Sequence, residues 1–202
     1  EEYIKSYLDD VNTIENQPGN SIQSVAESSW DAWIKYYRPN ENSRNSTVSY
    51  YDKGAVLGGI LNLAILSSTK GEKNLDDLMR YLYQNYYKKL GRGFTDEEFM
   101  KATDIVAGKD MSSFFKKYIF GTESIPYNTF FEAVGMKLVD SNIDNTAAFF
   151  GADLRAGKIS AVRRDSPAYN DGLNVNDEIL SIDGQKVEDL AKLIASKKIG
   201  DV

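Results

Sequence analysis

Apolar residues recur at three- and four-residue steps from the start of the chain. Tyr3, Ile4, Tyr7, Leu8, Val11 and Ile14 make one face of an amphipathic helix, which Pro18–Gly19 ends. Residues 29–37 read as a short aromatic helix with Ser28 or Ser29 at its N-cap and Pro39 closing it. Trp30 and Trp33, three apart on that helix, are assigned to the core. The Asn-rich stretch 40–47 reads as a surface loop. Residues 55–66 are apolar on nearly every face and too long for a strand, which predicts a buried central helix. Gly58 and Gly59 inside it each cost about 1 kcal/mol relative to alanine, so another backbone is expected to pack closely there.

Three further helices each begin at a capping residue and stop at a glycine. Asn74 opens one whose apolar face is Leu75, Leu78, Met79, Leu82, Tyr83 and Tyr86, with Asp76 and Asp77 in its first turn. Thr95 and Glu98 form a capping box, followed by Phe99, Ala102, Ile105 and Val106 up to Gly108. Asp110 caps the next, which buries Phe114, Phe115, Tyr118 and Ile119 before Gly121. Residues 126–134 add a short helix that Gly135 stops. The period then changes: 136–146 reads as a strand and linker, and strands are expected within 148–154, 158–162 and 178–182, with a tight turn at Asp183–Gly184. Helical spacing returns over 190–199. The pattern predicts an α+β fold, with a mostly helical subdomain over 1–140 and a small β domain over 141–202.

Composition narrows the chemistry. The 202 residues are 42% hydrophobic, enough for a packed core, and carry a net charge of −6 with a pI near 4.8. That balance speaks against a nucleic-acid partner, which needs a basic face. No apolar run approaches the length of a membrane span, and the start at Glu1–Glu2 lacks the pattern of a signal peptide. The chain has neither histidine nor cysteine. Thiol nucleophiles, disulfides, thiolate and imidazole metal ligands and the commonest general base are therefore absent, leaving carboxylates, Tyr, Lys and hydroxyls. No metal site is expected in these residues. The Asp76–Asp77 pair is read as ordinary helix-start acidity rather than as a carboxylate site.

Two stretches carry resemblances. Ser166-Pro167-Ala168, Gly172-Leu173 and the run Asn176-Asp177-Glu178-Ile179-Leu180-Ser181-Ile182-Asp183-Gly184-Gln185-Lys186-Val187 resemble a PDZ domain of the bacterial protease-associated type. That resemblance implies capture of a peptide or protein C-terminus by strand addition, with the carboxylate held by a loop at Phe149, Phe150, Gly151 and Ala152. Phe149, Phe150 and Leu154 would equally suit a core. A PDZ domain continues with a strand or two after its second helix, so the β domain is expected to be incomplete at Gly200-Asp201-Val202.

The second resemblance lies upstream. Residues 24–33, Ser49-Tyr50-Tyr51-Asp52-Lys53-Gly54 and 74–80 are similar to the C-terminal catalytic region of glycyl-aminopeptidase-type zinc peptidases, in which a PDZ domain follows. The implied parent hydrolyses peptide bonds at a free N-terminus with zinc as cofactor. Its metal motif lies outside this chain, which is expected to be inactive alone and to need the remainder of the catalytic domain as partner. The resemblance to related aminopeptidases assigns Tyr51, just before the acidic-Lys-Gly step, as a donor to the oxyanion, with Tyr50 a weaker candidate. Both tyrosines would also suit a helix start anchored in the core. The rival reading is a non-enzymatic peptide-binding module on a helical scaffold. Asn-, Lys- and Tyr-rich composition without cysteine hints at a bacterial protein, and a periplasmic or secreted parent is compatible with it.

Overall fold

The computed structural model describes residues 2–155, 157–187 and 189–200. Helices α1 (Glu2–Glu15), α2 (Val25–Trp30), α3 (Ser43–Ser46), α4 (Tyr50–Ser68), α5 (Leu75–Leu82), α6 (Asp96–Ala107), α7 (Ser112–Phe114) and α8 (Tyr127–Phe131) come first. Helices α5 and α7 each run on into a wider π-helical turn, over Tyr83–Lys88 and Phe115–Ile119. Then follow β1 (Ala152–Arg155), β2 (Lys158–Val162), α9 (Pro167–Asn170), β3 (Ser181–Ile182), β4 (Gln185–Lys186) and α10 (Leu190–Ala195). The fold is α+β, helical first and with short antiparallel strand pairs near the C-terminus.

The axis of the helical part is α4. Ser49 caps it by accepting from the Asp52 N–H, and Val56, Leu57, Ile60, Leu61, Ala64 and Ile65 are buried along one half of its surface, with Gly58, Gly59, Leu63 and Leu66 partly buried on the other. Helix α1 lies along it, and the Tyr7 hydroxyl donates to the Val56 carbonyl at 2.8 Å. Only Tyr7, Val11 and Ile14 of the expected α1 face are buried; Tyr3 and Ile4 are exposed. The two α4 glycines differ in role. Gly58 has open space around its missing Cβ, whereas a Cβ on Gly59 would run into the Tyr7 ring. The close neighbour is thus an aromatic side chain, not another backbone.

Capping places α5 and α6 as the sequence suggests. Asn74 and Asp77 form one reciprocal box, Thr95 and Glu98 another, and the Glu98 carboxylate also holds Arg92 at 2.7 and 2.8 Å. On α6 the buried positions are Ala102, Thr103, Val106 and Ala107; Ile105 points to solvent, contrary to expectation. Asp110 acts one step earlier than a simple cap, with its carboxylate accepting from the Ser112 N–H. The short α8 helix and its 3-10 extension stop at Gly135 in the left-handed conformation.

Three other expectations are corrected. Helix α2 is only six residues long and ends at Trp30, capped by Ser24 and not by Ser28 or Ser29, and residues 31–37 form turns. Asp31 binds Gln23 and pairs with Lys35, which turns the chain there. Trp30 and Trp33 therefore do not share a helical face; they are 90% and 79% exposed. The stretch 40–47 contains α3 and a buried Asn45. No strand forms within 136–146, because both backbone groups of Leu138 are taken by the Asn128 side-chain amide, at 2.7 and 3.1 Å.

The C-terminal part has its own small core of Ile159, Val162 and Ala168, with Phe150, Leu154 and Ile179 packed against it. Strands β1 and β2 pair antiparallel with an irregularity after Asp153, and β3–β4 is a hairpin turned at Asp183–Gly184, both at positive φ. The run 178–182 is shorter than expected: Ser181–Ile182 is strand, and Glu178 makes an isolated bridge to Lys158. Beyond α10, Lys198 bridges Ala147. Asp201 and Val202, at the expected truncation, lie outside the described residues.

Candidate functional site

Everything that enters α4 is tied down. The Gln17 amide donates to the Thr47 carbonyl at 2.7 Å, and Gly19 approaches the Thr47 backbone so closely that no Cβ would fit. Val48 is buried; its N–H donates to the Gln23 side chain at 3.1 Å and its carbonyl accepts from the Ser28 hydroxyl at 2.5 Å. Ser49 then caps the helix, so Tyr50 and Tyr51 leave from a rigid first turn.

Tyr51 is 56% exposed. It is not a core anchor, and its ring stands over that of Tyr50 at 4.2 Å between centroids. The turn at 31–37 brings a third phenol to them: the Tyr37 hydroxyl lies 2.8 Å from both the Tyr50 and the Tyr51 hydroxyls. Tyr36 packs edge-on against Tyr50, and Trp33 leans on Tyr37. Hydrogen bonding to Tyr37, and then to Tyr50, holds the Tyr51 phenol below its ordinary range. Tyr50 is held above its range by hydrogen bonds to Tyr37 and then Tyr51. Nothing in the sequence singles out Tyr37, because residues 29–37 read as one aromatic helix.

Two residues on from Tyr51 along α4 is Lys53. It is buried, donates to the Asn20 carbonyl at 3.3 Å, and is pushed down to about 8 by burial, with Glu15 opposing weakly. The buried side-chain oxygen of Asn20 has no hydrogen-bond partner among the described residues.

The second feature is the loop before β1. Gly151 has φ +81°, and a Cβ there would collide with the Ser166 side chain. Its carbonyl accepts from the Arg163 N–H at 2.7 Å, and the Phe150 carbonyl accepts from the Ala168 N–H at 3.1 Å. Across a trans peptide the carbonyl of one residue and the N–H of the next point in opposite directions. The Ala152 N–H therefore faces away from β2, along the free edge of β1, and the Gly151 N–H faces away from Ala168. A cleft of about 720 Å³ opens there, lined among others by Phe149, Phe150, Leu154, Leu190 and Ile194. Phe149 is exposed and sits under the Arg163 guanidinium, while Phe150 and Leu154 pack against the small core.

A third feature was hidden in the polar stretch 40–47. Asn45, only 4% exposed, donates to the Val162 carbonyl at 2.7 Å and accepts from the Arg164 N–H at 2.8 Å. Its amide thus completes the outer edge of β2 as a neighbouring strand would. Arg44 adds an exposed pairing to Asp153 at 3.6 Å, which contributes little.

The donor set does not fit a zinc ion. There is no imidazole or thiolate in the chain, and no group of three acidic side chains converges among the described residues.

Residues 1–57 match the M61 glycyl aminopeptidase family model, and residues 158–197 match a PDZ domain model. The chain thus carries a peptidase-related segment followed by a PDZ domain, in the order that the sequence resemblance implies. No curated protein matches it. The first match includes Tyr37, Tyr50, Tyr51 and Lys53; the second begins after the 149–152 loop. No helix among the described residues is long and apolar enough to cross a membrane.

Proposed function

We propose that this chain is the oxyanion-donor side and peptide-docking domain of a zinc-dependent aminopeptidase, with a boundary between the two parts near residue 140. The observation that carries the reading is the place of Tyr51: inside the M61-matched segment, on the capped first turn of α4, with its hydroxyl reachable from solvent. Attack on a peptide carbonyl turns its oxygen into an oxyanion. A preorganised phenol stabilises that charge more than it stabilises the neutral carbonyl, which is what lowers a barrier. Tyr50 packs against the Tyr51 ring and reaches its hydroxyl through Tyr37. Any metal the whole enzyme uses is held by residues outside these 202, and the chain alone is inactive.

The cleft beside β1 supports a companion role in binding. The two outward N–H groups suit a C-terminal carboxylate, and the free β1 edge suits an added peptide strand. Phe149 and Phe150 flank the carboxylate position, and Leu190 and Ile194 face the terminal side chain.

The full-length enzyme should release the first residue from peptides with a free amino terminus. N-acetylated versions of the same peptides should resist. Equal cleavage of both would refute an aminopeptidase, and cleavage of neither would favour the non-enzymatic binding module.

A further inference from the structure

Three phenol oxygens form one short chain, Tyr50 to Tyr37 to Tyr51, and each hydroxyl has a single proton to give. Tyr37 sits in the middle and cannot donate to both neighbours. If it donates to Tyr50, the Tyr51 proton is drawn back toward Tyr37 and is unavailable to a substrate. If it donates to Tyr51, the Tyr51 oxygen is satisfied as an acceptor and its own proton points outward. We propose that Tyr37 is a positioning residue: its hydroxyl accepts from Tyr50 and donates to Tyr51, aiming the Tyr51 proton at the reacting oxygen. This rests on the assignment of Tyr51 as oxyanion donor.

The surroundings hold Tyr37 in place between the other two. Tyr37 reaches the pair from a separate segment, fixed by the Tyr37 N–H to Ala32 carbonyl bond at 2.9 Å and by Lys35 clasping Asp31 at 2.6 Å and Glu27 at 2.8 Å. Its oxygen is thus placed independently of the α4 first turn. Among the described residues, the rings and hydroxyl that meet Tyr51 are phenols: Tyr36 and Tyr37 from the turn segment and Tyr50 from α4. A chain of hydroxyls donating in one direction polarises its terminal member, making it the strongest donor. The acidities agree, since Tyr51 at the receiving end lies below the ordinary phenol range and Tyr50 at the giving end lies above it. A phenol donates only while protonated, so activity through Tyr51 falls as pH rises past its depressed pKa, and removing the Tyr37 hydroxyl moves that fall to higher pH.

The test has two arms. In the 202-residue chain labelled at tyrosine Cζ, the Tyr51 resonance is identified by its loss in Tyr51→Phe and titrated in wild type, Tyr37→Phe and Tyr50→Phe. It should titrate at higher pH in Tyr37→Phe than in wild type, with a smaller upward move in Tyr50→Phe. In the full-length enzyme, Tyr37→Phe should lower kcat roughly ten-fold with KM nearly unchanged. It should raise the alkaline limb of the pH–rate profile, and it should cost nothing further when Tyr51 is already phenylalanine. An unmoved Tyr51 titration in Tyr37→Phe overturns the hydrogen-bond order itself. A moved titration with normal kcat in Tyr51→Phe instead shows that the assignment of Tyr51 has failed, and with it the catalytic use of Tyr37. Normal kcat in Tyr37→Phe beside a crippled Tyr51→Phe also overturns the positioning role while leaving Tyr51 in place.

Discussion

Replacing Lys53 by methionine should stabilise the protein at neutral pH and lose that advantage as the solution is made alkaline. The lysine is 3% exposed, and among the described residues its ammonium has one acceptor, the Asn20 carbonyl at 3.3 Å. Burial lowers its pKa from 10.5 to about 8. At 1.36 kcal/mol per unit this is about 3 kcal/mol of penalty for holding the charged form inside. Below pH 8 both the folded and unfolded states carry the proton, so the penalty is fully present. Between pH 8 and 10.5 the folded state releases its proton while the unfolded state keeps it, and stability rises. Methionine fills a similar volume without charge. Urea unfolding followed by helical ellipticity should show Lys53→Met more stable than wild type by up to about 3 kcal/mol at pH 7. The difference should shrink to zero or reverse by pH 10.5, where the lost hydrogen bond to Asn20 remains as a deficit of about 1 kcal/mol. Burial raises the Tyr7 and Tyr127 phenols, which oppose this trend at high pH, but they do so in both proteins and cancel in the difference. A stability difference that stays constant from pH 7 to 10.5 would refute the buried, depressed lysine.

Gly151→Ala should weaken the PDZ-like part by about 2–5 kcal/mol, from a left-handed non-glycine residue and the collision with Ser166; faster amide exchange at Ile159 with unchanged exchange in α4 checks it. Asn45→Ala should strand the Val162 carbonyl and the Arg164 N–H. A loss of about 1–3 kcal/mol for each orphaned group is expected, read as earlier melting of β2 by exchange. The chain should retain no stoichiometric zinc at neutral pH after dialysis against a chelator, as measured by elemental analysis.

The helical boundaries were legible where a local signal and the hydrophobic period agree. Thr95 with Glu98, Asn74 with Asp77 and the all-round apolar run into Leu66 each mark an element without help from distant residues. What escaped is tertiary. Trp30 and Trp33 look like a buried pair only if the helix continues, and the Asp31 side chain ends it by engaging Gln23 and Lys35. Asn128 and Asn45 each satisfy backbone groups elsewhere in the chain with a side-chain amide. Nothing in an asparagine's sequence neighbourhood announces that partner. In the candidate site, Tyr51 was visible through its step into Asp52-Lys53-Gly54. Tyr37 was not, since its hydroxyl meets Tyr51 only because a turn at 31–37 folds back on α4.

The most direct test of the account is the turnover of the full-length enzyme carrying Tyr51→Phe. The substitution removes one oxygen atom from a ring that is largely exposed and leaves the Ser49 cap untouched. Loss of an oxyanion donor lowers kcat roughly a hundred- to a thousand-fold, because the hydrogen bond is strong only once the oxygen carries charge. That fall is expected with KM and metal content nearly unchanged, and a milder effect for Tyr50→Phe. A Tyr51→Phe enzyme with near-normal kcat would contradict it.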